Sequence, residues 1–107
     1  MSNRTDKSIL SLLGLAARAG RIASGEFQTE TAVKSGTACR VVVVEDASDN
    51  TKKLFHDKGS FYKVPVILLG TKEELGHAIG KEFRASLAVL DEGFAKAVMK
   101  KISQESK

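Results

Sequence analysis

The chain has 107 residues, a formal net charge of +4 and hydrophobic residues at 42% of its positions. This length suits one domain with one core, and the apolar content is high enough for that domain to fold. Apolar runs are too short for a membrane span, and the N-terminus lacks a secretory pattern, so we expect a cytoplasmic protein. Cys39 is the single cysteine. It excludes an internal disulfide and a cysteine-rich zinc site, and we expect no cofactor. The basic balance favours a polyanionic partner.

The first helix is predicted from apolar residues at helical spacing, Ile9, Leu12, Leu13 and Ala16. Thr5 or Asp6 can cap its start, and Gly20 ends it.

The second helix is predicted over 26–35. A short extended segment, Arg21 to Ser24, and a hinge at Gly25 precede it, and Gly36 stands where a left-handed cap would end it. Its apolar residues are Phe27, Ala32 and Val33. Arg40 to Val44 follows as a strand, because four consecutive β-branched residues suit a strand that is buried on both faces.

The third helix is predicted to reach Lys58 and to end at Gly59, with Leu54 and Phe55 on its core side. Its start is supplied with caps and turns by Asp46, Ser48 and Asn50. A second buried strand is predicted over Val66 to Leu69.

Thr71 and Glu74 have the spacing of a capping box, which opens a short fourth helix. The segment 81–84 is predicted as a loop, 85–90 as a third buried strand, and Asp91 as the cap of a last helix. The apolar residues of these two helices are Leu75, Ala78 and Ile79, and Phe94, Val98 and Ile102.

Strands that alternate with helices at this spacing predict an α/β fold: a three-layer α/β/α sandwich with a mixed sheet of about four strands. We expect one domain over residues 1–107, with its core at about 8–103. Ligands of open α/β sheets bind at loops between strand ends and helix starts. Three loops qualify, namely 24–26, 45–48 and the loop around Phe83.

The acidic residues Glu45, Asp46 and Asp49 follow the strongest strand, where a magnesium-dependent phosphotransfer site would place its carboxylates. The same residues at a helix start also satisfy free backbone N–H groups and the helix dipole, which is the interpretation we prefer. The sequence has no nucleotide-binding loop and no nucleophile motif. We therefore predict that the protein is not an enzyme and has no catalytic or metal-binding residues.

The segment Ser24-Gly25-Glu26 is of a different kind, because a glycine opens the helix. Such a start presents free N–H groups and the positive end of the helix dipole to a phosphate, and side chains of the first turns can reach base edges. A surface helix without a ligand has the same pattern, so this geometry alone does not identify a site.

Several motifs occur in one register along the chain: Leu13–Ala16, Arg18–Gly20, Ser24-Gly25, Glu45–Thr51, Tyr62–Val66, Gly70–Gly76 and Ile79–Lys81. In this order they resemble the kink-turn-binding ribosomal protein family, which includes the archaeal large-subunit proteins seven-Ae and thirty-e, and in particular its bacterial YlxQ-like branch. The resemblance covers about residues 8–103. It implies an α/β/α sandwich that binds structured RNA with a sharp bend beside sheared G·A pairs, such as ribosomal RNA or the ribosome. It implies no catalysis, no membrane and no small-molecule substrate.

In that family the pattern Gly-x-Asn-Glu-x-x-Lys at the start of the second helix reads guanine edges. Here Gly25 matches the glycine, whereas Phe27, Gln28 and Thr31 replace the asparagine, glutamate and lysine. The resemblance also implies that a loop before the last strand packs on a flipped-out base. The RNA-binding residues it implies are Ser24, Gly25, Phe27, Gln28, Thr31 and Lys34 at the helix, and Phe83, Arg84 and Ala85 in the loop.

Gln28 can still accept a hydrogen bond from a guanine N–H group, and Phe27 can stack on a base. Phe83 suits base stacking and Arg84 suits phosphate contact, although Phe83 could instead be tucked into the core. The alternative function is a protein-interaction module that has kept the fold and lost kink-turn recognition.

Overall fold

The computed structural model describes residues 7–105, in which five helices alternate with four strands. The predicted caps Thr5 and Asp6 lie outside the described residues. The elements are α1 (Lys7–Arg18), β1 (Ile22–Ser24), α2 (Glu26–Ser35), β2 (Arg40–Val43), α3 (Asp49–Tyr62), β3 (Val66–Leu68), α4 (Lys72–Ala78), β4 (Ser86–Val89) and α5 (Glu92–Glu105).

The strands form one mixed sheet in the order β1-β4-β2-β3. Strand β4 is antiparallel to both of its neighbours, whereas β2 and β3 are parallel. Strands β1, β2 and β3 therefore run in one direction, and the loops that follow them meet the loop that precedes β4 at one end of the sheet. Helix α2 packs with α3, and α1 packs with α4 and α5. The predicted three-layer α/β/α sandwich is confirmed.

The hydrophobic core lies on both faces of the central strands. Val41 to Val44 are fully buried, as a strand covered on both faces requires, and Phe55 and Leu75 bring α3 and α4 onto the sheet. The capping box at Thr71 is present, because its side chain accepts from the Glu74 N–H while the Glu74 carboxylate accepts from the Thr71 N–H. No helix in residues 7–105 is long and apolar enough to cross a membrane.

Helix α3 does not end at Gly59 as predicted but continues to Tyr62. An added Cβ at Gly59 would lie 2.6 Å from Val66 Cγ2 and 2.7 Å from the Val64 carbonyl oxygen. The glycine therefore permits a close approach between α3 and the chain that leads into β3. The helix ends instead at Lys63, which takes the left-handed conformation at φ 60°.

One prediction of burial is wrong. Strand β3 is the edge of the sheet and leaves Leu68 half exposed, so it is not covered on both faces. Phe27 is 75% exposed, because it lies in the first turn of α2 on the side opposite the buried Thr29 and Val33.

Candidate nucleic-acid interface

The start of α2 and the loop before β4 lie side by side. Strands β1 and β4 are antiparallel with Ser24 opposite Leu87, so the end of β1 meets the beginning of β4. The Gly25 N–H donates to the Ser86 carbonyl oxygen over 2.9 Å. Arg84 Nε donates to Ser24 Oγ over 3.2 Å. The two segments that the sequence assigned to one RNA site are therefore joined by direct hydrogen bonds.

The first turn of α2 is open. Gly25 has φ 93° and ψ 157°, a conformation essentially reserved for glycine. Because glycine has no side chain, the N-cap position provides no side-chain hydrogen bond to the helix. In contrast, side-chain oxygens of Ser48, Thr71 and Asp91 accept N–H groups at the starts of α3, α4 and α5. Of the helix starts that the structure describes with a cap, α2 alone leaves its first amides without a side-chain acceptor.

Two buried hydroxyls position this open start. Thr29 and Ser86 are both fully buried. Ser86 Oγ donates to Thr29 Oγ1 over 3.4 Å, and Thr29 Oγ1 donates to the Ala23 carbonyl oxygen over 3.5 Å. The sequence reasoning did not single out either residue. The available signal was a serine inside the apolar strand pattern that precedes Leu87, since buried polar groups are normally hydrogen-bonded.

The loop that carries Phe83 is held by backbone contacts. The Arg84 N–H donates to the Lys72 carbonyl oxygen over 3.1 Å, and the Ala85 carbonyl oxygen accepts from the Val44 N–H over 2.9 Å. Arg84 Nη1 donates to the Phe83 carbonyl oxygen over 2.8 Å. The guanidinium thus connects the loop to Ser24 and also stabilises the loop itself.

Phe83 points outward and is 61% exposed, so it is not tucked into the core. It lines a shallow groove of about 540 Å³, together with Asp46, Thr71, Lys72 and Glu73. An exposed ring above such a groove presents a flat apolar face to a ligand.

The outer face of α2 carries the remaining predicted residues. Gln28, Thr31 and Lys34 are exposed alongside Phe27. Lys34 Nζ lies 3.3 Å from Glu30 Oε2, so the lysine offsets a carboxylate that would otherwise repel a phosphate.

Asp46, in the acidic cluster after β2, has a structural role, but at the start of α4 and not at the start of α3 as predicted. Asp46 Oδ1 accepts from the Lys72 N–H over 2.9 Å, and Ser48 Oγ accepts from the Thr51 N–H. Within residues 7–105, no group of three or more histidine, cysteine or acidic side chains is arranged to hold a metal ion. Burial raises the pKa of the Cys39 thiol, and the nearby carboxylate of Glu92 adds to this shift. A raised pKa leaves less of the reactive thiolate.

Comparison with known proteins bears on this interface. The model of the ribosomal protein L7Ae/L30e/S12e/Gadd45 family matches residues 7–99. RNA-binding protein YlxQ of Bacillus subtilis (strain 168) is 45% identical over 84 residues, which are 78% of this chain and 84% of that protein. RNA-binding protein YlxQ of Enterococcus faecium is 40% identical over 96 residues, 90% of this chain and 92% of that protein.

A solved structure of a protein of unknown function from Bacillus halodurans C has the same fold. It superposes with a TM-score of 0.87 at 41% identity and covers 92% of this chain and 99% of its own. Together with the mixed sheet and its five helices, these matches show that the chain belongs to the ribosomal protein L7Ae/L30e/S12e/Gadd45 family, in its YlxQ-like branch.

Proposed function

We propose that this protein binds structured RNA of the kink-turn type, at a site made by the open start of α2 and the Phe83 loop. The observation that carries the proposal is the hydrogen bond from Arg84 to Ser24, which fixes these two segments together at one end of the sheet. Two YlxQ relatives that are 40–45% identical are RNA-binding proteins, which supports the same class of ligand.

The roles of the residues follow from their chemistry. The amides that follow Gly25 face a phosphate with the positive end of the helix dipole. The Gln28 side-chain oxygen accepts a hydrogen bond from a guanine N–H group, and Thr31 offers a short hydroxyl beside it. Lys34 supplies positive charge on the next turn, because its side chain is 49% exposed beside Glu30 and Glu30 is also approached by Lys58.

Two aromatic residues of the proposed site, one in α2 and one in the loop, contribute stacking. Phe27 and Phe83 are both mostly exposed, and bases stack favourably on such rings. Arg84 holds the loop and lies near the phosphates, while Ala85 keeps the loop close to β2. The proposal includes a cytoplasmic location. It involves no catalytic step and no metal.

The test is a titration of three RNAs: a kink-turn RNA, the same RNA with its G·A pairs replaced, and bulk ribosomal RNA. Each is measured at about 50 and about 200 mM salt, because backbone contacts alone give a steep loss of affinity with salt. The proposal predicts that the kink-turn RNA binds more tightly than its replaced form at both concentrations. Equal binding of all three would overturn the kink-turn specificity. An absence of binding at low salt would favour the protein-interaction module.

A further inference from the structure

An exposed aromatic groove lies at the last turn of α3. Its volume is about 450 Å³, and its lining residues are Leu54, Asp57, Lys58, Phe61 and Tyr62. Phe61 is 76% exposed, and its ring meets that of Tyr62 edge to face with the centroids 4.9 Å apart. The two touching rings give the groove an exposed aromatic wall against which a planar group can stack.

The groove continues the outer face of α2. Lys58 Nζ lies 3.7 Å from Glu30 Oε2, the same oxygen that Lys34 Nζ approaches to 3.3 Å. Helices α2 and α3 follow parallel strands, so their starts lie at the same end of the sheet and Phe61 lies toward the opposite end. Helix α2 has ten residues and spans about 15 Å. A short extended segment can therefore reach from the α2 start to the groove.

The charges around the groove favour an anionic occupant. Asp57 is held by Lys53 at 3.2 Å and His56 at 3.5 Å, and the hydrogen bonds from Lys53 and then His56 lower the pKa of its carboxyl. The ion pairs in and beside the groove join three lysines, Lys34, Lys53 and Lys58, to two carboxylates, Glu30 and Asp57, which leaves an excess of positive charge.

Lysines around exposed aromatic rings are the combination that binds unpaired nucleotides, because bases of any identity stack on the rings while ammonium groups face the phosphates. We propose that this groove binds an unpaired RNA segment that flanks the structured element at α2, with a base stacked on Phe61 and its phosphates beside Lys58. The inference rests on the proposed function for the placement of the structured RNA.

The experiment compares one kink-turn RNA with and without about eight unpaired uridines, a length typical of single-strand sites, attached at its 5′ or its 3′ end. Wild-type protein, Phe61→Ala and Leu68→Ala are titrated with all three RNAs. Leu68 is the control because it is an exposed apolar residue on β3, outside the groove. Melting temperatures show whether each variant is folded. We expect one extension to raise the wild-type affinity about fivefold, the gain from one stacked base, and Phe61→Ala alone to remove that gain.

The results separate this inference from the proposed function. If the bare RNA binds but neither extension adds affinity, the groove does not bind RNA, and a protein is its better candidate partner. A gain that survives Phe61→Ala would also overturn the inference. If the bare RNA fails to bind while an extended RNA binds through Phe61, the groove is supported and the α2 site is wrong. Failure of all three RNAs to bind overturns both.

Discussion

The starts of α2 and α3 lie at the same end of the sheet and are built in opposite ways. At α3, Ser48 Oγ accepts from the Thr51 N–H, so the helix satisfies one of its own free amides. At α2, Gly25 has no side chain, and the helix start is left open. The start of α3 therefore has a side-chain acceptor for one of its amides, whereas the start of α2 has none. The free amides of α2 can donate hydrogen bonds to a phosphate. The difference makes the start of α2 the better of the two candidates for binding an anion.

The largest effect is expected from Gly76→Ala, which disturbs the loop beside the open start. An added Cβ would lie 2.5 Å from the Glu82 carbonyl oxygen and 2.9 Å from Phe83 Cα, and backbone atoms cannot yield cheaply. We expect a loss of about 3 kcal/mol in the free energy of unfolding, measured by urea denaturation. The control is Gly93→Ala, whose added Cβ would meet no backbone atom and only Asp91 Oδ2, at 3.0 Å. Because that oxygen caps α5, we expect a loss in the control too, but a smaller one. Equal losses in the two variants would contradict the close packing of the loop.

A matched pair of substitutions compares the two starts directly. Gly25→Ala meets no atom within 4 Å but forces a side chain into φ 93°, which costs about 1–2 kcal/mol. Ser48→Ala removes a cap and costs about 1 kcal/mol. Both therefore lower stability to a similar extent, as thermal unfolding would show.

The same pair should differ in RNA affinity. We expect Gly25→Ala to weaken kink-turn RNA binding about tenfold, since 1.4 kcal/mol of lost contact is a factor of ten, and Ser48→Ala to leave it unchanged. Fluorescence anisotropy measures both. An affinity loss at Ser48→Ala that equals the loss at Gly25→Ala would mean that the two starts are not functionally distinct.

Smaller effects are expected at Gln28 and Arg84, because each contributes only one or two hydrogen bonds to the RNA. Gln28→Ala should lower affinity about fivefold for the preferred RNA and hardly at all for the G·A-replaced RNA. Arg84→Ala should lower affinity by a similar factor for both RNAs, because its role is to hold the loop and face phosphates. The reverse pattern of selectivity would exchange the two roles.

Much of the fold followed from local sequence, and the failures have physical causes. The buried run at Val41–Val44 and the capping box at Thr71 act within a few residues, so their patterns were sufficient. The prediction that α3 ends at Gly59 was wrong because a glycine can either end a helix or allow a close approach. Only the position of the chain leading into β3 decides between these two roles. The sequence order also did not show that β3 is an edge strand.

The sequence indicated the two segments of the candidate site but not the contacts that join them. Gly25 and Phe83 were identified from a helix start and a resemblance. The hydroxyl pair of Thr29 and Ser86 joins residues 57 positions apart, which no local pattern reports. The exposure of Phe27 likewise depends on which side of α2 faces the sheet.

The most direct test of the central claim is an amide NMR titration with kink-turn RNA, because it observes both helix starts in one experiment. We predict that the amide signals of Glu26, Phe27 and Gln28 shift strongly on RNA addition, together with those of residues 83–85. The amides of Asp49 and Asn50, behind the Ser48 cap, should hardly move. Larger shifts at the start of α3 than at the start of α2 would contradict the account.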